Sequence, residues 1–143
     1  MSNFGQTPLS PTSIPSSAPS SPLSIESSQH MARTIAEAAD DRKGGDILIL
    51  KVDEVSYLAD FFILVTGFST VQVRAIARAI EDSVEENFQR FPLRTEGKAE
   101  GSWILQDFGE VIVHIFLPEE RQFYNLDAFW SHAEAIEFKP KDS

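Results

Sequence analysis

Trp103-Ile104-Leu105-Gln106-Asp107-Phe108-Gly109-Glu110-Val111-Ile112-Val113-His114-Ile115-Phe116 reads as two strands joined by a tight turn. With Phe108-Gly109 at the turn, Asp107 faces Glu110, Leu105 faces Ile112 and Trp103 faces His114. Side chains alternate along a strand, so these six residues share one face, with Phe116 at its end. The other face carries Ile104, Gln106, Val111, Val113 and Ile115 and is nearly all aliphatic, which suits a packed core. The first face mixes Trp, His, acids and apolar residues, the composition of a recognition surface. A slip of one residue in the pairing would exchange the two faces.

Working outward, Met31, Ile35, Ala38 or Ala39 and Arg42 recur at helical spacing, and Gly44-Gly45 is expected to end that helix. Residues 46–52 are apolar on both faces and are expected to form a central strand. Residues 53–60 are a connection, and 61–66 (Phe-Phe-Ile-Leu-Val-Thr) a second buried strand. Gly67-Phe68-Ser69 turns into the clearest helix, where Ser69 and Gln72 fit a capping box. Val73, Ile76, Ala77, Ile80, Val84 and Phe88 form its apolar stripe. Arg74, Arg78, Glu81, Asp82, Glu85 and Glu86 mostly take the remaining surface. Phe91-Pro92 ends it, and 93–101 is a polar connection with room for a short edge strand. Pro118 opens a last helical segment through Trp130, with Phe123, Leu126, Phe129 and Trp130 expected to face inward. Two strand pairs separated by a long helix predict an α/β (α+β) fold: a mixed β-sheet flanked by helices.

Residues 1–28 are mostly Ser and Pro and have no helical or strand period. Such a segment buries too little apolar surface to offset its ordering entropy, so it is expected to be a disordered tail, a spacer or a phosphorylation target. It holds no Lys or Arg, which argues against a transit or secretory peptide. The folded domain is expected over 29–138, with 139–143 a short tail. No apolar run approaches the roughly 20 residues that span a membrane. Cysteine is absent, which excludes disulfides and thiolate chemistry. The formal net charge of −10 repels phosphate backbones, so binding to naked nucleic acid is not expected, and a basic partner is favoured.

Catalytic patterns are sparse. His30, His114 and His132 lack metal-ligand spacing, and Gly67-Phe68-Ser69 is too short for a phosphate loop. Asp107-Phe108-Gly109 matches the kinase metal-binding triplet, but no companion kinase motif is present. A Gly-Ser turn opening a helix is shared with nucleotidyltransferases, whose two-metal chemistry needs closely spaced carboxylates. Neither 61–66 nor 111–116 contains an acid. No catalytic residue, metal or cofactor is assigned.

Three motifs carry a family resemblance: Asp60-Phe-Phe-Ile-Leu-Val-Thr-Gly67 with Ser69, Trp103 to His114, and Arg121-Gln-Phe-Tyr-Asn-Leu-Asp-Ala-Phe-Trp130. In this order they resemble the ribosomal silencing factor family, also called Iojap-like, over roughly residues 31–130. The resemblance implies a fold related to nucleotidyltransferases without their catalytic acids, and a non-enzymatic cytoplasmic protein without cofactor. It implies binding to the large ribosomal subunit through ribosomal protein fourteen, so that the small subunit cannot join and translation falls when nutrients are scarce. It also implies a homodimer when free. This chain departs from the family pattern in Glu110, where Asp is common, and in Phe129, where Leu is usual.

The residues expected to meet the partner are Trp103, Leu105, Asp107, Glu110, His114, Arg121 and Tyr124. Trp103 leads, because Trp offers a large apolar area and a donor. Its other reading is a half-buried core residue. Asp107 is placed either to pair with a basic partner or to cap the turn, and Glu110 is a rim charge. His114 either supports its neighbours or touches the partner. Arg121 and Tyr124 are read either as contacts or as a salt bridge and a packed ring. Ser69 is read as a helix cap and Asp60 as ordering the turn before its strand. The rival class is a nucleotidyltransferase-like nucleotide-binding enzyme.

Overall fold

The computed structural model describes residues 24–141. The first helix, α1 (Ile25–Asp41), begins four residues before the expected domain boundary at 29. Ser24 caps it by accepting from the Ser27 amide at 3.1 Å. Ser28, placed in the tail by composition, is buried and donates to Asp60 Oδ2 at 3.0 Å. Serine-rich text hid a helix start because Ser is a preferred cap and a poor helix former. The expectation for 1–23 lies outside the described residues.

Lys43, not a glycine, takes the left-handed position after α1 (φ 65°). Gly44 is required for a different reason: a Cβ there would stand 2.7 Å from Val65 Cγ1. Strand β1 (Gly45–Lys51) follows, then β2 (Phe61–Thr66). Helix α2 (Thr70–Phe88) starts at Ser69, whose hydroxyl accepts from Gln72 N at 3.1 Å, while Gln72 Oε1 accepts from Phe68 N at 2.7 Å. The Gln72 amide also donates to the Arg42 and Lys43 carbonyls, tying the start of α2 to the end of α1.

A three-residue edge strand β3 (Arg94–Glu96) leads to the hairpin β4 (Trp103–Asp107) and β5 (Val111–Phe116). The expected single last helix is two: α3 (Pro118–Tyr124) and α4 (Leu126–Phe129), broken at Asn125 (φ 51°). Asn tolerates the left-handed region better than most residues. A further strand, β6 (Glu134–Ile136), was not expected from its sequence.

The sheet order is β3-β4-β5-β2-β1-β6, with β2 and β5 parallel and the other neighbours antiparallel. The parallel pair sits at the centre, and every residue of both strands is buried. Their unbroken apolar text follows from that placement. The crossover from β2 to β5 runs through α2 and the β3–β4 hairpin. Strand β1 lies one place from the edge and is closed off by β6, so its two-sided apolarity did not mark the centre.

The faces are unequal. Helices α1 and α2 cover one, where Met31, Ile35, Val73, Ile76 and Ile80 pack with Ile63, Val65, Ile104 and Ile115. At about 1.5–3 kcal/mol for each large buried side chain, this layer dominates stability. The second face has a smaller buried set, Leu50, Val52, Ala59, Phe62, Leu64, Ile112 and Phe116, flanked by Leu126 and Trp130 of the C-terminal segment. Leu48, Trp103 and Leu105 border that set only partly buried.

The hairpin register differs from the reading above. Trp103 opposes Phe116, Leu105 opposes His114 and Asp107 opposes Ile112. The turn spans 108–111, with Phe108 N donating to Val111 O at 2.9 Å. Phe108 cannot stand at the tip because its ring is fully buried against the helical layer. The shift is two residues, so both faces keep their members. Glu110 is the exception, because it stands in the turn.

Candidate docking face

Trp103 opens β4, and its half-buried ring lies on the thinly covered face. Its centroid is 4.8 Å from Tyr124, 5.4 Å from Phe116 and 5.8 Å from His114. Phe62 continues the array, 5.8 Å from His114 and 4.7 Å from Trp130. These spacings are those of favourable tilted and edge-to-face ring pairs. The indole Nε1–H donates to His114 Nδ1 at 3.1 Å. His114 is buried, and that burial pushes its pKa down to about 4, so the ring is neutral near pH 7. With Nδ1 accepting, the ring proton sits on Nε2.

Trp103 is thus held on one side by rings and on its polar atom by a fixed acceptor. It lies beside Tyr124, which is 53% exposed and in turn meets Phe123, 80% exposed, at 4.9 Å between centroids. Leu105, opposite His114, is half-buried on the same face. Phe123 was expected inside. A seven-residue helix on an open face cannot bury both members of the Phe123-Tyr124 pair, and the helix has no buried residue. Leu126 and Trp130 do pack inward, and the packing expected of Phe129 lies outside the described residues.

Asp107 occupies the turn-capping alternative. Its Oδ1 accepts from Gly109 N at 2.8 Å, and Oδ2 lies 3.8 Å from Arg94. Glu110 leaves the Trp103 face and pairs with Arg90 at 2.8 Å. The same Arg90 guanidinium donates to the Phe108 carbonyl, which fixes the turn.

Arg121 takes the salt-bridge alternative and binds the fold together. Nε and Nη2 hold both Asp127 oxygens at 3.0 and 2.8 Å, and Nη1 donates to Thr66 Oγ1 and Asp46 O. The guanidinium keeps the Asp127 carboxyl below its usual pKa. Arg121 therefore positions α3, and with it Tyr124. Of the seven residues, Trp103, Leu105, His114 and Tyr124 come together on one face. Asp107, Glu110 and Arg121 support its edges through contacts within the chain. Leu48 belongs with the face and was missed, and Phe123 adjoins it through the Tyr124 ring. Ser69 is the cap it was read as, and Asp60 receives Ser28. No group of three or more His, Cys, Asp or Glu side chains is gathered to hold a metal among the described residues. No helix there is long and apolar enough to cross a membrane.

A six-stranded mixed sheet layered by helices on one side, with an aromatic face left open on the other, defines a protein of the α+β class. The family model described as "Ribosomal silencing factor during starvation" matches residues 25–143, and the chain belongs to that family. It is 43% identical over 98 residues to the ribosomal silencing factor of Bacillus subtilis, covering 68% of this chain and 82% of that protein. It is 42% identical over 106 residues to the chloroplastic protein Iojap of Zea mays, covering 74% of this chain and 46% of the maize protein. A crystal structure of a Chromobacterium violaceum protein superposes with a TM-score of 0.69 at 32% identity, covering 81% of this chain and 92% of that one. The Bacillus subtilis and maize relatives are named as a silencing factor and Iojap, not as enzymes, and the family ties the chain to translation regulation.

Proposed function

We propose that this protein binds the large ribosomal subunit through ribosomal protein fourteen and prevents the small subunit from joining. The supporting observation is the Trp103 site: a ring held in place before any partner arrives, beside exposed Tyr124. A preorganised aromatic anchor loses little side-chain entropy on docking. Residues of this kind carry about 2 kcal/mol or more of binding energy, roughly 30-fold in affinity. Steric exclusion needs attachment at a surface the small subunit must also use, and it needs no reaction. Cytoplasmic action and a homodimer when free complete the reading.

The test is subunit rejoining. Purified large and small subunits are mixed at rising magnesium with an excess of the protein and followed by light scattering. Formation of whole ribosomes should fall in proportion to the protein added. Normal rejoining with the large subunit saturated would reject steric exclusion. Micromolar affinity for a nucleotide with magnesium would instead favour the nucleotidyltransferase-like reading.

A further inference from the structure

The net charge of −10 conceals an uneven distribution. Among the described residues, Lys51, Arg90, Arg94, Arg121 and Lys141 each lie within ion-pair distance of a carboxylate. Arg74, Arg78 and Lys98 pair with none, yet they converge on one cleft of about 100 Å³ between α2 and the β3–β4 connection. Arg74 and Arg78 are four apart on α2 and so share a helix face. Glu81, also in the cleft wall, receives the Gln106 amide at 3.4 Å.

The connection is built around Arg74. Its Nε and Nη2 donate to the carbonyls of Lys98 and Ala99 at 3.0 and 2.7 Å. Those neutral partners fix the guanidinium without cancelling its charge. Gly101 closes the loop at φ 74°, a conformation that favours glycine, and a Cβ there would press on the Arg74 guanidinium at 2.9 Å from Cζ. The loop that wraps Arg74 thereby sets Lys98 beside Arg78, and both side chains are exposed. Two residues beyond Gly101 the chain reaches Trp103. The cations therefore lie at the β3–β4 edge of the sheet on its helical side, with the Trp103 face reached around that edge.

We infer that Arg74, Arg78 and Lys98 form a second contact that receives a phosphodiester group of RNA when the Trp103 face is docked. This rests on the ribosomal reading above. A phosphate fits because the cleft sets three cations, none in an ion pair and one preorganised, against the single carboxylate of Glu81, and is small enough for one anionic group. The overall negative charge opposes binding to free RNA, so the contact forms only as part of the docked complex. It then contributes a strongly salt-dependent share of affinity, because each neutralised phosphate releases counterions.

The experiment compares the full chain with Arg78→Gln/Lys98→Gln and with Trp103→Ala, leaving Arg74 untouched because it holds the loop. Affinity for purified large subunits is measured from about 50 to 300 mM KCl, and affinity for isolated ribosomal protein fourteen at one salt. The double variant should bind subunits roughly 5- to 10-fold more weakly at low salt, with the log–log salt slope shallower by about 1–2, and should bind the isolated protein normally. Trp103→Ala should weaken binding at every salt and leave the slope unchanged. A double variant with wild-type affinity and slope, alongside loss in Trp103→Ala, would overturn the RNA contact and leave the docking reading intact. Equal weakening of the double variant on the isolated protein would also overturn it, by assigning the cations to an acidic protein patch. If the wild-type chain binds no subunits at any salt, both readings fall.

Discussion

Trp103 and His114 are joined by one hydrogen bond, Nε1 to Nδ1 at 3.1 Å, that links the candidate anchor to the central strand β5. The bond needs an unprotonated Nδ1, so the placement of the indole is coupled to the charge of a buried ring.

That coupling predicts a pH dependence. His114 has a folded pKa of about 4 against an ordinary 6.5. Between these values the unfolded chain binds the proton and the folded chain does not. Stability is therefore complete above pH 6.5 and declines as pH falls toward 4, by about 2–3 kcal/mol at pH 4.5. Urea denaturation followed by Trp fluorescence at pH 7 and 4.5 measures it. His114→Gln, which retains an acceptor for the indole, should lose most of this decline. An equal pH dependence in both proteins would contradict it. Asp127, held below its usual pKa by Arg121, adds its own loss only at lower pH.

Arg121 gathers Asp127, Thr66 and the Asp46 carbonyl onto one guanidinium. Arg121→Met should cost about 2 kcal/mol of stability, because several partners lose a charged donor at once. Subunit affinity should also fall as α3 loosens and Tyr124 shifts. Chemical denaturation together with binding to large subunits checks both. A change under about 0.5 kcal/mol would show that α3 is held by other contacts.

Gln106 is fully buried on the helix-covered face. Its Nε2 donates to the Ala77 carbonyl at 2.8 Å, while its Oε1 has no partner. An unpaired buried acceptor costs about 1–3 kcal/mol, whereas the Ala77 carbonyl keeps its place within α2 without Gln106. Gln106→Met should therefore be neutral or stabilising by about 1 kcal/mol, read as a rise in thermal midpoint. A clear fall in the midpoint would mean that the amide contributes more than its orphan oxygen costs.

Much of this fold was legible because its strongest signals are local. Ser69 and Gln72 marked the start of α2, and the alternation from Trp103 to Phe116 assigned the two sheet faces. The hairpin register was not legible, because Phe108 is drawn inside by a layer of helices that lies elsewhere in the sequence. Strand β6 escaped for a similar reason: three residues pair with β1 only once the sheet exists. Ser24 and Ser28 looked like tail until a cap and a bond to Asp60 gave them roles. For the site, spacing put Trp103, Leu105 and His114 on one face and chain order put Tyr124 beside them, and the fold brings the four side chains together there. Spacing could not show that Arg121 and Glu110 spend their charges on Asp127 and Arg90, since those pairs depend on tertiary placement.

The most direct measurement is co-sedimentation of Trp103→Ala with purified large subunits, beside wild type and with folding verified by circular dichroism. The account predicts a loss of affinity of roughly 30-fold or more, matching the contribution expected of a central aromatic anchor. It also predicts a corresponding failure to block subunit rejoining. A folded Trp103→Ala protein that co-sediments like wild type would contradict the claim that this face is the docking surface.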